Sequence, residues 1–310
     1  RDTKSLTRVV GATGEMLAPL PITGEHVFEI QGEDGEWASS CTYGYNDIKF
    51  DQAGNCLIGQ CITTKQTFQI YKVDLETGAA TLVVQERLYD NPDFLDNGYR
   101  FDAFGVAGDV TTNGVIMAAD ATSPSWAVYR WLITDGVAAE GELIANLSEL
   151  STSDAQAPQV FPQDEFGELF YVDGFGTYPT LFYGNPSEGA TIIDSFDNVP
   201  TGAKVPGAGT DSISMQTGHN GVLEFQVGEE YFLLMAATGT AGTPPSCFAL
   251  YKFADADRAF EGLEPLWYFP AKGMGTATNG CRTAVPSVDV IDDNTAVLYV
   301  YANNNGYATY

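Results

Sequence analysis

Short apolar runs alternate along the whole chain with polar turns that contain glycine, asparagine or aspartate. The runs DIKF, CLIGQC and TLVVQ are typical, and no helical periodicity extends beyond about ten residues. Apolar runs this short, bounded by turn residues, are typical of β-strands. The pattern therefore predicts an all-β protein.

One strand recurs with an aromatic residue near its end, in the forms FQIYK, WAVYR, TLFYG, FALYK and YATY. Its tyrosines are 54 to 68 residues apart, at Tyr71, Tyr129, Tyr183, Tyr251 and Tyr310. Before each tyrosine come a strand, a tight polar turn and a second, more apolar strand, as in DIKFDQAGNCLIGQC. After the first four come another turn and a fourth strand. Each copy thus predicts a four-stranded antiparallel meander.

Isolated meanders would leave both faces in water, so we expect them to pack face to face around an axis. This predicts one β-propeller domain over residues 1–310, with about five four-stranded blades closed by an N-terminal strand. The predicted blades lie near 47–88, 99–146, 157–196, 221–270 and 287–310, and residues 1–46 form a latch and the loop that leads into the first blade. The fifth copy lacks an outer strand, which HVFEI (26–30) or, as a weaker fit, LTRVV (6–10) would supply. Six blades and a tandem β-sandwich are the alternatives.

Forty-one acidic residues against 14 basic ones give the chain a formal net charge of −27. Such a field repels phosphate backbones and anionic membrane surfaces, so nucleic acid is not an expected partner. No run approaches the roughly 20 apolar residues that a transmembrane helix needs. The chain opens with RDTKSL, without an apolar signal segment, and we expect a mature or trimmed extracytoplasmic domain at the cell surface or in the periplasm.

Five cysteines show neither a CxxC pair nor a metal-ligand spacing, which argues against zinc. Cys56 and Cys61 fall in a strand and are expected to be small core residues. Cys41 with Cys281 is the only disulfide that the predicted architecture favours.

Any ligand site is expected on the face formed by two sets of loops. These are the connections from the fourth strand of one blade to the first strand of the next, and the turns between second and third strands. Two of the connections contain NGxR, which provides Asn97 with Arg100 and Asn279 with Arg282. Arginine recognises carboxylates or sugar hydroxyls, although a salt bridge between blades is the simpler interpretation. His219 is the best single candidate for proton transfer, and a backbone-bonded loop residue is its simpler interpretation.

Aromatic side chains in the loops could stack on sugar faces, whereas Trp131 and Trp267 fall on strands and are expected to be core. The candidates for stacking are Trp37, Tyr99, Trp126 and Tyr178. The acidic loop DNPDFLDNGYRFD offers Asp93 and Asp96 as weak calcium ligands, but it lacks the EF-hand spacing. No other cofactor is expected.

The order of strands and the YK or YR strand resemble the β-propeller-like proteins of unknown function exported by gut Bacteroidetes, many of them lipoproteins at the cell surface. The resemblance covers most of the chain from Asp47 onward, and it implies a fold and a location without transferring a functional residue. The leading hypothesis is a non-catalytic binding or scaffold module for a glycan or an extracellular protein. The alternative is a carbohydrate-active hydrolase or lyase that uses channel-mouth acids with His219.

Overall fold

A computed structural model describes sixteen stretches of the chain, and every regular element within them is a β-strand. The stretches are 5–10, 12–27, 29–31, 34–39, 45–60, 67–87, 101–120, 127–146, 159–162, 170–173, 180–185, 189–195, 222–237, 247–253, 264–270 and 282–303. None of these residues belongs to a helix that is long and apolar enough to cross a membrane. The prediction of an all-β protein is confirmed.

The chain divides into two compact units. The first comprises Arg1–Asn146 with the short pieces Pro162–Phe170 and Asn185–Ser187, and the second comprises the remainder.

The first unit begins with two small hairpins, which are followed by two larger sheets. The hairpins pair β1 (Ser5–Leu6) with β2 (Leu20–Pro21) and β3 (Glu29–Gln31) with β4 (Trp37–Ser39). The first meander is β5 (Tyr45–Phe50), β6 (Cys56–Gln60), β7 (Thr67–Val73) and β8 (Ala80–Arg87), paired in chain order. The second meander is β9 (Phe101–Gly108), β10 (Gly114–Asp120) and β11 (Ala127–Thr134), whose far edge pairs with both β12 (Val137–Ala138) and β13 (Glu142–Asn146).

Two further four-stranded sheets and a hairpin follow along the chain. The third meander is β14 (Gln159–Pro162), β15 (Phe170–Asp173), β16 (Thr180–Asn185) and β17 (Gly189–Ser195), again paired in chain order. The fourth meander is β18 (Val222–Val227), β19 (Glu230–Ala237), β20 (Cys247–Lys252) and β21 (Glu264–Pro270). The terminal hairpin pairs β22 (Arg282–Asp292) with β23 (Thr295–Asn303). The strand order predicted for the repeat is therefore observed in the first four copies, and two strands of the fifth copy are described.

The first and second meanders pack face to face through one continuous apolar cluster. Leu57, Phe68, Ile70 and Val84 of the first meander contact a face of the second that carries Phe104, Ile116, Tyr129, Trp131 and Ile133. Period-two alternation along each strand produces these faces, because successive side chains point to opposite sides of a sheet. Trp131 is fully buried in this cluster, as its strand position predicts.

The recurring tyrosines occupy equivalent places in the meanders. Tyr71, Tyr129, Tyr183 and Tyr251 all lie on the third strand of their sheet. In the first, second and fourth meanders the register with the fourth strand shifts directly at the tyrosine, and Tyr71, Tyr129 and Tyr251 are all buried. Such a bulge bends and twists the sheet locally. Tyr310 lies outside the described residues.

The turns between first and second strands join successive meanders at one edge. Asp51 is buried in the first of these turns and accepts hydrogen bonds from the backbone N–H groups of Ala53 and Asn55. Its other carboxylate oxygen accepts from Val110 N of the second meander at 3.0 Å. The Thr111 hydroxyl and then the Thr111 backbone N–H donate hydrogen bonds to Asp109, and they hold the pKa of this carboxyl group below its ordinary value. These turns therefore link the sheets as well as reverse the chain.

The N-terminal segment covers the face of the first meander that points away from the second. Ile22 and Val27 pack on Ile58, Tyr71 and Val73 there. This contact explains the burial of Ile22 and Val27, whereas Val9 and Met16 of the same segment are exposed. The structure pairs β3 with β4, while the pairing of residues 26–30 or 6–10 with the fifth repeat stays a prediction.

Candidate functional site

Most residues predicted to bind ligand lie outside the described stretches. Trp37 lies on β4, and Arg282 is the first residue of β22. Outside the described residues are Asn97, Tyr99, Arg100, Trp126, Tyr178, His219 and Asn279, the calcium candidates Asp93 and Asp96, and the cysteines Cys41, Cys61 and Cys281. Cys56 is buried with a free thiol, as predicted, and burial raises its pKa.

In the first unit, the strand ends that flank three connections lie at one edge of the two larger sheets. Residues 61–66, 88–100 and 121–126 each connect two described strands, and those strand ends lie opposite the turns that carry Asp51 and Asp109. The first strands of the two meanders, β5 and β9, also contact each other. The strand ends at Gln60, Phe101, Asp120 and Ala127 thus lie at the same edge of the unit, although they are far apart in sequence.

Trp37 stacks on a histidine, His26, which lies in the turn that precedes β3. The rings of His26 and Trp37 stack with centroids 3.7 Å apart and planes 8° from parallel. His26 Nδ1 and a carboxylate oxygen of Glu29 are 2.8 Å apart. Burial, followed by the charges of Glu29 and Glu25, raises the pKa of Tyr71 to about 12. One face of the Trp37 indole is therefore occupied by His26, which the interpretation as a loop aromatic did not foresee.

A cleft of about 780 Å³ lies in the second unit, between the fourth meander and the terminal hairpin. This volume falls within the range of small-molecule sites in proteins. Its lining residues are Phe225, Val227, Gly228, Glu229, Glu230, Phe232, Leu250, Asp293, Asn294, Ala296 and Leu298. The cleft is therefore a candidate binding site among the residues that the structure describes.

The apolar lining of the cleft comes from strand faces. Phe225 and Phe232 are cross-strand partners on β18 and β19, and their rings stack with centroids 5.4 Å apart. Both phenylalanines are half-buried, as are Ala296 and Leu298 on β23. Two partly exposed aromatic rings in the lining of the cleft provide apolar surface for a ligand.

The polar rim comes from two neighbouring turns. Glu229 lies in the turn between β18 and β19, and Asp293 lies in the turn between β22 and β23; both are exposed. The backbones of these turns approach so closely that a Cβ atom added to Gly228, whose φ is +60°, would lie 2.7 Å from the Asp293 carbonyl oxygen. Lys252 forms an ion pair with Glu230 beside the cleft. The close approach of the two turns thus brings the acidic residues Glu229 and Asp293 to the same border of the cleft.

Sequence reasoning missed this cleft because its aromatic residues lie on strands. Phe225 alternates with polar residues in LEFQV, and Phe232 lies in the apolar run YFLLM; both patterns are those of ordinary core strands. The signal that could have found the site is the acidic turn GEE directly between the two phenylalanines. Among the described residues no three His, Cys, Asp or Glu side chains form a group that could hold a metal ion.

A family model described as a domain of unknown function, DUF8500, matches residues 38–164. No curated protein matches the sequence. Across its whole length, the chain is similar in structure to a DUF4623 family protein from Bacteroides eggerthii. The TM-score is 0.59 at 14% identity, and the alignment covers 99% of this chain and 68% of the other. At this identity the likeness shows a shared fold and nothing more.

Weaker similarities are found to glycoside hydrolases. The GH43 BlXynB protein of Bacillus licheniformis aligns with a TM-score of 0.41 at 12% identity, over 84% of this chain and 50% of that one. The catalytic domain of the Coprinopsis cinerea GH62 α-L-arabinofuranosidase aligns with a TM-score of 0.37 at 8% identity, over 74% and 70%. This chain thus spans about half the length of the GH43 protein.

Proposed function

We propose that the protein is a non-catalytic extracytoplasmic module that binds a glycan in the cleft between its fourth meander and its terminal hairpin. The observation that carries the proposal is the composition of that cleft. Two half-buried phenylalanines form an apolar surface, and carboxylate and amide side chains from two turns border it. A sugar ring presents a matching surface, with C–H groups on its faces and hydroxyl groups around its edge.

We further propose that the five repeats form a ring, the five-bladed propeller that the sequence predicts. The support is the equivalent position of the tyrosines and the face-to-face packing of the first two meanders. A ring would add the connections that carry Arg100, Trp126 and His219 to the surface available for an extended glycan or an extracellular protein.

The test is a glycan-array screen of the purified chain, with and without calcium, followed by calorimetry on each glycan that binds. Phe232→Leu removes the ring but keeps apolar volume, so we expect a folded protein with roughly threefold to tenfold weaker binding. Phe50→Ala is the matched control, because Phe50 is 59% exposed and belongs to the first unit. Equal affinity of wild type and Phe232→Leu would contradict the proposed site.

The same glycans decide between binding and catalysis. Each one is incubated with the protein, and the products are analysed by mass spectrometry. Unchanged glycans are expected. Cleavage that is lost in His219→Gln would overturn the proposal in favour of a hydrolase or lyase. Absence of binding to every glycan on the array would favour an extracellular protein as partner.

A further inference from the structure

We propose that the cleft selects oligosaccharides of amino sugars whose amines are free and protonated. This inference rests on the proposed glycan-binding function and specifies the class of glycan. Neither the family model nor the similar structures assign a ligand to these residues.

The first step is the charge of the rim. Glu229, Glu230 and Asp293 line the cleft, and no lysine or arginine is among the lining residues that the structure describes. Lys252 pairs with Glu230, which leaves Glu229 and Asp293 as surplus negative charge. A cationic ligand would neutralise this surplus, whereas an anionic ligand would increase the repulsion.

The second step is the field of the whole chain. A formal net charge of −27 raises the local concentration of cations and disfavours uronic acids and sulfated sugars. Neutral glycans gain nothing from this field. Among oligosaccharides, only those with amino groups therefore have both the rim and the net charge in their favour.

The third step is the shape of the site. An amino-sugar oligomer has apolar ring faces for Phe225 and Phe232 and an ammonium group at the ring edge. An ammonium group within reach of these rings also gains a cation–π contact. The carboxylates of Glu229 and Asp293 extend from two turns that touch through Gly228, so one sugar residue at that end of the cleft would face both. The phenylalanine rings and the acidic turns then recognise different parts of the same ligand.

The experiment compares glucosamine oligomers with N-acetylglucosamine oligomers of equal length, in a mildly acidic buffer where the free amines are protonated. The acetyl group removes the charge and leaves the ring faces unchanged. We expect calorimetry to show roughly tenfold tighter binding of the free-amine oligomer and weaker binding at high salt. Glu229→Gln and Asp293→Asn should each weaken that binding roughly two- to fivefold, with no effect on the acetylated oligomer. Glu76→Gln removes an exposed carboxylate from the other unit and should change nothing.

Each contrary outcome has a different meaning. Equal binding of both oligomers, unaffected by the substitutions, would overturn the charge selectivity and leave the glycan function intact. Binding of neither oligomer or of any other glycan would remove both proposals. Oligolysine that binds as tightly as the glucosamine oligomer would replace the glycan with a basic peptide.

Discussion

Replacing Gly78 by alanine tests how firmly the N-terminal segment is docked on the first meander. Gly78 has a φ of +78° in the turn between β7 and β8, and an added Cβ would lie 1.9 Å from the carbonyl oxygen of Pro21. Two backbone hydrogen bonds form beside this contact, from Thr23 N to Gly78 O at 2.9 Å and from Ala80 N to Thr23 O at 2.7 Å. The segment must move to accommodate the methyl group.

The expected loss of unfolding free energy has two parts. An alanine at positive φ costs about 1 kcal/mol. Displacement of the segment adds the loss of two hydrogen bonds, about 1 kcal/mol each, and of part of the burial of Ile22. We therefore expect Gly78→Ala to destabilise the protein by about 4 kcal/mol. Gly54→Ala is the control, because Gly54 has a φ of +82° with no atom within 4 Å of the added Cβ, and it should cost only about 1 kcal/mol.

Urea denaturation gives the two free energies, and trypsin cleavage after Arg8 reports on the segment directly. Arg8 donates a hydrogen bond to the carbonyl oxygen of Leu75, so docking should protect the bond that trypsin cuts. Cleavage should be faster in Gly78→Ala than in Gly54→Ala. Equal destabilisation by both substitutions, with equal cleavage rates, would refute the docking of this segment.

Three further predictions concern titration and buried hydrogen bonds. The folded pKa of Tyr71, about 12, lies above its unfolded value near 10. The contribution of Tyr71 to the unfolding free energy should therefore be retained below about pH 10 and decrease by up to about 3 kcal/mol toward pH 12. Tyr71→Phe should remove this contribution to the decrease, as measured by urea denaturation at each pH. The pKa values of Asp74 and Asp109 are lowered in the folded protein, so these groups act in the opposite direction. Their stabilisation is present above the unfolded pKa of about 3.9 and is lost as the pH falls through the folded pKa values. Asp109→Asn should therefore make the unfolding free energy less dependent on pH in acid. Glu86 accepts hydrogen bonds from Trp131 Nε1 at 3.1 Å and from the Gly141 backbone N–H at 2.9 Å. Glu86→Ala should therefore lower the unfolding free energy by about 2–4 kcal/mol, and Glu86→Gln, which keeps an acceptor, by clearly less. Equal losses of unfolding free energy in both variants would show that these hydrogen bonds contribute little.

The sequence was sufficient to predict the strands of the repeat because their signal is local. Alternation gives the faces, and the tyrosine spacing gives the period. Tyr71, Tyr129 and Tyr251 all lie where the repeat places them, and Trp131 is buried as its strand position requires.

Features that depend on packing between distant segments were not predictable in the same way. Ile22 and Val27 belong to no repeat, so their role appears only once the exposed face of the first meander is known. The cleft is also invisible in the pattern, since Phe225 has the same spacing whether its face is covered or open. The predicted loop residues Arg100 and His219 remain predictions, because their position depends on the geometry of long connections that alternation does not determine.

The bulge beside each tyrosine constrains how this protein can be redesigned. In the first, second and fourth meanders one residue of the outer strand has no partner opposite, at Val83, Ile144 and Leu266. When the fourth strand of one repeat replaces that of another, the pairing register is preserved only if the new strand also contains the extra, unpaired residue. A graft shorter by one residue would turn every later side chain to the wrong side of its sheet. The tyrosine is thus a convenient landmark at which one repeat can be spliced to another.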